Sequence, residues 1–325
     1  MTLILNRNDV ISLLDMKDCI DAVEKAFAEL SNGTAVLPLR TAIKPEGGIS
    51  LYMPSYLKEM GALACKVVSV YKNNPSQYNL PTTIGKVLVQ DEKTGDVVCI
   101  MDGSYLTAVR TGAASGVATK YLARDDKGQS VGIFGAGVQA RNQLWAITCV
   151  RNVNKAVVYD LNDEALNKFI KEMTEKLKID ITKSKSIQEV IECNIICTAT
   201  SSSVPLFDGS KVKEGTHING IGSHTPDARE LDSEIVKRSV FVGDSLEACF
   251  NEAGDIMIPM KEGSIKASHF YAELGEIVTG KKPGRRNNKD ITLFKSNGLA
   301  IQDAATAHLV YKKALEKKIG MLVDI

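Results

Sequence analysis

Gly135, Gly137 and Ala140 form a G-x-G-x-x-A pattern that follows an apolar strand pattern, S-V-G-I-F, and opens a helical one. In such a pattern the first glycine permits a tight turn, and the second lets backbone amides approach a pyrophosphate. Ala140 still allows the helix to pack close to a sheet. We expect the amides that open the helix, at Val138 and Gln139, to bind the phosphates of a dinucleotide.

A carboxylate, Asp160, ends the next strand pattern along the chain, K-A-V-V-Y-D. It lies roughly 20 residues after the glycines, where an acid that binds the ribose hydroxyls is expected. A 2′-phosphate would place like charges together at this point, so the pattern favours NAD(H) over NADP(H). The alternative is that Asp160 only caps the helix predicted at 164–176. The spacing favours the ribose role.

Strand and helix patterns alternate from about residue 128 onward, which predicts a Rossmann-type, doubly wound α/β domain. Its strands are short and apolar, as in a parallel sheet covered on both faces. The predicted strands are 130–134, 156–160, 194–200, 216–222 and 239–244, and the predicted helices are 139–151, 164–176 and 187–193.

The N-terminal part predicts an α+β domain instead. Residues 92–96 indicate a hairpin turn and residues 73–77 an exposed loop. The predicted elements are helices at 16–31, 106–122 and 300–315 and strands at 51–54, 64–71 and 85–90. We therefore expect a substrate-binding domain at 1–118, joined by 300–325, and a nucleotide-binding domain at 119–299. The substrate site is expected in the cleft between them.

Composition excludes several classes of protein. The chain has 325 residues, 44% of them hydrophobic, and 40 basic against 39 acidic residues, so its formal charge of +1 favours neither nucleic acid nor an anionic membrane. No apolar run approaches the ~20 residues of a membrane span, and no signal peptide opens the chain, so a cytoplasmic protein is expected. Its seven scattered cysteines suit reduced thiols, and no metal site is expected.

The chain resembles the ornithine cyclodeaminase/mu-crystallin family nearly from end to end. The resemblance rests on five blocks in family order: D-G-S-Y-L-T-A-V-R-T-G-A-A at 102–114, G-A-G-V-Q-A at 135–140, G-T-H-I-N-G-I-G at 215–222, F-Y-A-E-L-G-E at 270–276 and K-S-N-G-L-A-I-Q-D at 295–303. Members exchange hydride between a nicotinamide and an amino-acid Cα. The resemblance implies NAD as cofactor, and a homodimer formed through the N-terminal domain.

Arg40, Lys66 and Arg110 match the positions at which the family binds the substrate carboxylate, and arginine can hold both carboxylate oxygens. Lys66 lies in an apolar stretch, where an unpaired ammonium is costly. Burial beside two arginines would lower its pKa and suit it to donate a proton. Whether Lys66 binds the carboxylate or acts as an acid stays open. Asp303 either orients one of these cations or is a surface acid.

The resemblance also extends the set of expected cofactor contacts. It places Thr111 near the phosphates and Lys295 beside the nicotinamide, and Thr198 in the strand 194–200 completes the set. Helix packing would explain the small residues around Thr111 equally well.

The loop at 222–232 distinguishes branches of the family. In cyclodeaminases, an acid two positions before a proline engages the distal amine of the substrate, and this chain has His224 at that position. Asp227 follows the proline, which resembles the loop of the ketimine-reducing mu-crystallins. His224 either relays a proton or is a surface residue. We expect Asp227 to cap the next helix, with Glu230 on its exposed first turn.

These observations favour an NAD(H)-dependent reductase of an α-imino or cyclic ketimine acid, or an amino-acid dehydrogenase in reverse. The rival enzyme is an ornithine cyclodeaminase, which converts ornithine to proline with recycled NAD. A rival of another class is a crystallin-like protein that binds a nucleotide without catalysis.

Overall fold

The strands of the computed structural model, which describes residues 1–324, form two sheets of eight strands each. The chain divides into a first unit, residues 1–110 with the residues from 299 onward, and a second unit, residues 111–298. The division at residue 110 falls inside one continuous helix.

The strands are β1 (Thr2–Leu5), β2 (Ala35–Val36), β3 (Thr41–Ile43), β4 (Ile49–Leu57), β5 (Ala62–Val70), β6 (Thr83–Gln90), β7 (Val97–Asp102), β8 (Gln129–Phe134), β9 (Val153–Tyr159), β10 (Asp180–Lys183), β11 (Ile195–Thr198), β12 (His217–Gly220), β13 (Ser239–Gly243), β14 (Phe270–Glu273), β15 (Ile291–Lys295) and β16 (Met321–Val323). The helices are α1 (Arg7–Leu13), α2 (Met16–Asn32), α3 (Asn74–Tyr78), α4 (Gly103–Leu122), α5 (Val138–Val150), α6 (Asp163–Leu177), α7 (Ile187–Ile191), α8 (Ser233–Arg238), α9 (Leu246–Glu252), α10 (Gly254–Lys261), α11 (Leu274–Val278) and α12 (Ala300–Lys317).

The sheet of the first unit has the order β16-β1-β7-β6-β5-β4-β2, and β3 also pairs with β4. Strands β4 to β7 are antiparallel neighbours, and the predicted hairpin turn joins β6 to β7. Along β5, Ala62, Ala64, Lys66 and Val68 are buried and alternate with half-exposed residues. Helix α12 packs across β4, β5 and β6. One face of the sheet is therefore a core, and it contains a lysine.

The sheet of the second unit is parallel throughout, in the order β10-β9-β8-β11-β12-β15-β13-β14. Chain order reverses between β8 and β11, which is the topological switch point of a doubly wound sheet. Side chains of β11 alternate between two cores: Ile195 and Cys197 pack in one, and Ile196 in the other. The predicted Rossmann-type fold is confirmed.

Three strands of this sheet, β10, β14 and β15, are absent from the sequence prediction. Strand β15 is buried along its whole length, but it follows a loop rich in charge and turn residues that obscured the pattern. The segment predicted as an exposed loop at 73–77 contains helix α3, in which Pro75 occupies the first turn, where its missing N–H costs nothing.

Within residues 1–324, no helix combines the length and the apolar character needed to cross a membrane. In the same range no disulfide joins the seven cysteines.

Candidate active site

Three charged side chains meet in the core of the first unit. The Nζ of Lys66 lies 2.6 Å from Oδ2 of Asp303, and Nε of Arg110 donates to Oδ1 of the same carboxylate at 2.8 Å. The side chains of Lys66 and Asp303 are each 1% exposed, and that of Arg110 is 5% exposed. We call Lys66, Arg110 and Asp303 the buried ion cluster. Its members come from β5, α4 and α12.

The local sequence explains each placement. Lys66 occupies a core position of β5 because the alternation of a strand turns every second side chain towards α12. Asp303 lies in the first turn of α12, where the helix dipole favours a negative charge. Gln302, fully buried beside it, accepts a hydrogen bond from Nη1 of Arg110 at 2.6 Å. Arg110 is thus oriented by two consecutive side chains of one helix.

The ion cluster changes the proton affinity of Lys66. Burial, followed by the charge of Arg110, lowers the pKa of Lys66 to about 7, although Asp303 raises it. Arg40, half-buried before β3, contributes a further lowering of the Lys66 pKa through its charge. Lys66 and Arg110 therefore share one carboxylate, and the charge of Arg40 acts on Lys66.

The arrangement suits an anionic ligand that also exchanges a proton. When Lys66 is protonated, two buried cations share one carboxylate, so the cluster carries excess positive charge. A second carboxylate would neutralise that charge, and arginine is suited to bind it. An amine with a pKa near 7 can both donate and accept a proton at neutral pH.

The glycine pattern of the second unit forms the turn between β8 and α5. Gly135 has a φ of 100°, and a Cβ at this position would lie 2.5 Å from the carbonyl oxygen of Ala199. Both observations require glycine there. Gly137 is the N-cap of α5, and a Cβ on it would meet no atom within 4 Å. The open space before the first amides of α5, with Val138 61% exposed and Gln139 half-buried, fits an approaching phosphate.

Asp160 is turned towards this glycine turn. Its Oδ2 accepts a hydrogen bond from the amide of Ala136 at 2.6 Å, and its Oδ1 accepts one from the amide of Asn162 at 2.8 Å. The N-cap of α6 is Asn162, whose side chain accepts from the amide of Ala165. The capping explanation for Asp160 is therefore wrong. Its position beside the turn fits an acid that binds the ribose of a dinucleotide.

The other predicted cofactor residues differ in their surroundings. Thr111 is buried in α4, and Thr198 is fully buried at the carboxyl end of β11. Lys295 is 0% exposed at the end of β15, where its Nζ lies 2.9 Å from Oδ2 of Asp255 and donates to the carbonyl of Gly220 at 3.3 Å. The ammonium group of Lys295 thus contacts groups of the protein itself.

The loop 222–232 contains an exposed residue and a buried one. His224 is exposed, and its Nδ1 lies 2.9 Å from the carbonyl oxygen of Gly222, so this nitrogen carries the proton. Asp227 is exposed in a turn, and Asp232 rather than Asp227 caps α8. Glu230 is 0% exposed, so its predicted place on an exposed helical turn is wrong.

Gln302, Glu230 and Asp255 are buried polar residues that sequence reasoning did not assign to a site. The adjacent Q-D pair at the start of an alanine-rich helix was the available signal for Gln302. Glu230 precedes a leucine and a helix cap, E-L-D, but a glutamate in a polar loop gives no sign of burial.

Comparison with known proteins supports one family. The model of the ornithine cyclodeaminase/mu-crystallin family matches residues 1–318. A solved structure of Thermococcus litoralis Delta(1)-pyrroline-2-carboxylate reductase, in complex with NADH and L-proline, is 53% identical, covers 99% of this chain and 100% of its own, and superposes with a TM-score of 0.95.

Two further relatives are similar over the same length. Delta(1)-pyrroline-2-carboxylate reductase of Bacillus cereus is 36% identical over 326 residues, 99% of each chain. An archaeal alanine dehydrogenase, solved as a dimer with bound NAD, is 36% identical, covers 99% of each chain and has a TM-score of 0.94. These matches confirm the resemblance inferred from the five sequence blocks. The chain belongs to the ornithine cyclodeaminase/mu-crystallin family.

Proposed function

We propose that this chain is an NAD(H)-dependent oxidoreductase that acts on the Cα–N bond of a small amino acid or its imine. The favoured reaction is the reduction of a cyclic imino acid of the pyrroline-2-carboxylate type to the corresponding amino acid. The observation that carries the proposal is the buried ion cluster, which can bind a carboxylate and exchange a proton. The names of the relatives, reductases and an alanine dehydrogenase, support it.

The arginines hold the substrate in this proposal. Arg110, oriented by Asp303 and Gln302, and Arg40 bind the carboxylate of the imino acid. A carboxylate fixed at two points orients the neighbouring Cα, and such orientation can contribute several kcal/mol to lowering a barrier.

Lys66 supplies the proton that the imine nitrogen gains during reduction. Its pKa of about 7 leaves a large fraction protonated at neutral pH. A bound carboxylate would raise this pKa, because the opposite charge favours the ammonium. Substrate binding therefore favours the protonated, donating form. We expect kcat/KM for reduction to fall as pH rises through about 7, because the free enzyme then loses the ammonium.

The second unit holds the cofactor in this proposal. The amides of Val138 and Gln139 bind the pyrophosphate at the open turn, and Asp160 binds the ribose hydroxyls. Thr111 and Thr198 remain proposed contacts. When bound, the reduced nicotinamide supplies the hydride that Cα receives.

Replacement of Asp160 by alanine tests the ribose site. We expect the Kd of NADH to rise by roughly tenfold or more, because charge-assisted hydrogen bonds contribute about 1.5–3 kcal/mol each. NADPH should bind the variant at least as tightly as it binds the parent, because the repulsion between the Asp160 carboxylate and the 2′-phosphate is gone. Fluorescence titration measures both constants. Asp163→Asn is the control, since Asp163 is exposed and pairs with Lys183. An unchanged Kd of NADH would contradict the ribose role.

We also propose a homodimer formed through the first unit. The sheet face opposite the ion cluster carries a half-exposed row across four strands, Pro54, Cys65, Leu88 and Ile100, in direct register. This apolar row suits an interface, and the archaeal alanine dehydrogenase was solved as a dimer. Light scattering should give twice the chain mass of 35.2 kDa; a monomer would exclude the proposal.

The function is tested by following NADH absorbance with four sets of substrates. Pyrroline-2-carboxylate, piperideine-2-carboxylate, and pyruvate with ammonia test the reductase and dehydrogenase reactions. Ornithine with NAD, assayed for proline and ammonia, tests the cyclodeaminase reaction.

We expect steady NADH consumption with at least one imino acid, and the preferred one defines the substrate. Proline release from ornithine without net NADH change would identify a cyclodeaminase instead. Binding of NADH without any turnover would support the non-catalytic alternative.

A further inference from the structure

A buried carboxylate holds the segment that follows strand β12. Oε1 of Glu230 accepts hydrogen bonds from the amide and the hydroxyl of Thr200, at 2.6 and 2.7 Å. Its Oε2 accepts from the amide of Gly222 at 2.7 Å. Thr200 follows β11 and Gly222 follows β12, so Glu230 joins the carboxyl ends of two neighbouring parallel strands.

A second buried carboxylate, Asp255, holds Glu230 in turn. Oδ1 of Asp255 accepts from the amides of Glu230 and Leu231 at 2.7 and 2.9 Å. Its Oδ2 lies 2.9 Å from Nζ of Lys295, which also donates to the carbonyl of Gly220. Glu230, Asp255 and Lys295 are each 0% exposed. We call these three residues the strand-end network; it links α10 and β15 to the end of β12.

The backbone around Glu230 is closely packed. A Cβ on Gly222 would lie 2.5 Å from Oε1 and Cδ of Glu230 and 2.4 Å from the carbonyl oxygen of Thr200. A Cβ on Gly254, at the start of α10, would lie 2.0 Å from the carbonyl oxygen of Ala228. The loop 222–230 is therefore packed backbone against backbone.

The position of this network in the sheet indicates its use. In open parallel sheets, ligands bind outside the carboxyl ends of the strands at the switch point, which lies here between β8 and β11. We expect the glycine turn after β8 to bind the phosphates of a dinucleotide. The backbone after β11 and β12 is then the part of this sheet edge that can contact the nicotinamide end. That backbone is what Glu230 holds.

We propose that Glu230 is a positioning residue for the nicotinamide end of the cofactor, acting through Thr200 and Gly222. The inference rests on the proposed function for its cofactor. Lys295, which has no exposed surface, acts in the same way through Asp255 and Gly220 rather than by touching the cofactor.

The variant Glu230→Gln, made in the full chain, tests the proposal. Glutamine keeps the shape, but its amide nitrogen faces either the Thr200 amide or the Gly222 amide, donor against donor. We expect kcat to fall by about a hundredfold, as for a small misplacement of reacting groups, with the KM for the imino acid within about threefold of the parent. Fluorescence of bound NADH should move towards that of free NADH, which a merely structural defect in folded protein would not cause.

Glu262→Gln is the matched control, because Glu262 accepts hydrogen bonds from Ser233 and Arg229 near the same loop but is 42% exposed. It should keep the parental kcat. Thr200→Val keeps the test possible if Glu230→Gln does not fold. It removes the hydroxyl that donates to Glu230 and accepts from the amide of Ser202. We expect about a threefold to tenfold lower kcat from the loss of the hydrogen bond to Glu230.

Parental kcat and NADH fluorescence in Glu230→Gln would overturn the proposal, and so would parental values in Thr200→Val where Glu230→Gln does not fold. An equal loss in Glu262→Gln would also overturn it. If the parent turns over no imino acid, the proposed function fails separately. The fluorescence of bound NADH then still decides whether Glu230 positions the nicotinamide.

Discussion

Replacement of Lys66 by methionine should lower kcat/KM for imino-acid reduction by about 10³-fold while the Kd of NADH stays unchanged. General acid catalysis by a positioned group contributes about 10²–10⁴-fold, and Lys66 also contributes to the charge that attracts the carboxylate. Methionine has a similar unbranched length and fills the same core space. The residual rate should lose its dependence on pH near 7, because the titrating ammonium is gone.

This variant should also fold as well as the parent. Asp303 keeps Arg110 as its partner, so no carboxylate is left unpaired, and the cost of burying an ammonium disappears. Lys58→Met serves as the control, since Lys58 is exposed at the end of β4. A Lys66→Met enzyme with the parental kcat/KM, measured by NADH absorbance over a pH range that extends to both sides of the Lys66 pKa of about 7, would contradict the role of Lys66.

Replacement of Asp303 by asparagine should destabilise the protein and reduce its activity together. The change leaves Lys66 and Arg110 in the core without their shared carboxylate. Removal of one partner from a buried ion pair costs about 3–5 kcal/mol in the free energy of unfolding. The pKa of Lys66 should fall below its value of about 7, because Asp303 raises it. At neutral pH less ammonium remains, and kcat/KM should fall by about a hundredfold.

Asp18→Asn is the matched control for this effect. Asp18 also pairs with a lysine, Lys313, but its side chain is 48% exposed. Exposed pairs contribute about 0–1 kcal/mol, so this variant should unfold nearly as the parent does. Denaturant unfolding measures both. If Asp303→Asn lost no more stability than Asp18→Asn, the ion cluster would not be the buried, coupled unit described here.

The glycine turn and the ribose acid could be predicted from sequence because their geometry is local. The pattern around Gly135 and Gly137 encodes a strand, a turn and a helix within a dozen residues, and Asp160 ends the next strand. Hydrophobic periodicity was sufficient to place β8, β9 and β11. The buried strand β15, I-T-L-F-K, was missed because it is short and follows a loop rich in charge and turn residues.

The partners of the charged residues could not be predicted, because they depend on long-range packing. Lys66 meets Asp303 only because α12 packs across β5, and no sequence spacing relates the two. Lys295 illustrates the same limit. Its block was correctly matched to the family, yet its side chain is buried against Asp255 of α10. Glu230 was placed on a helical surface because the start of α8 was expected several residues early.

An isotope experiment shows whether this chain transfers hydride to the Cα of an imino acid and a proton to its nitrogen. Pyrroline-2-carboxylate is reduced with NADH that carries deuterium at the transferred C4 position, and the product is analysed by mass spectrometry. We expect proline with a single deuterium at Cα, formed in equal amount to the NADH oxidised. Unlabelled proline, or oxidation of NADH without proline, would contradict it.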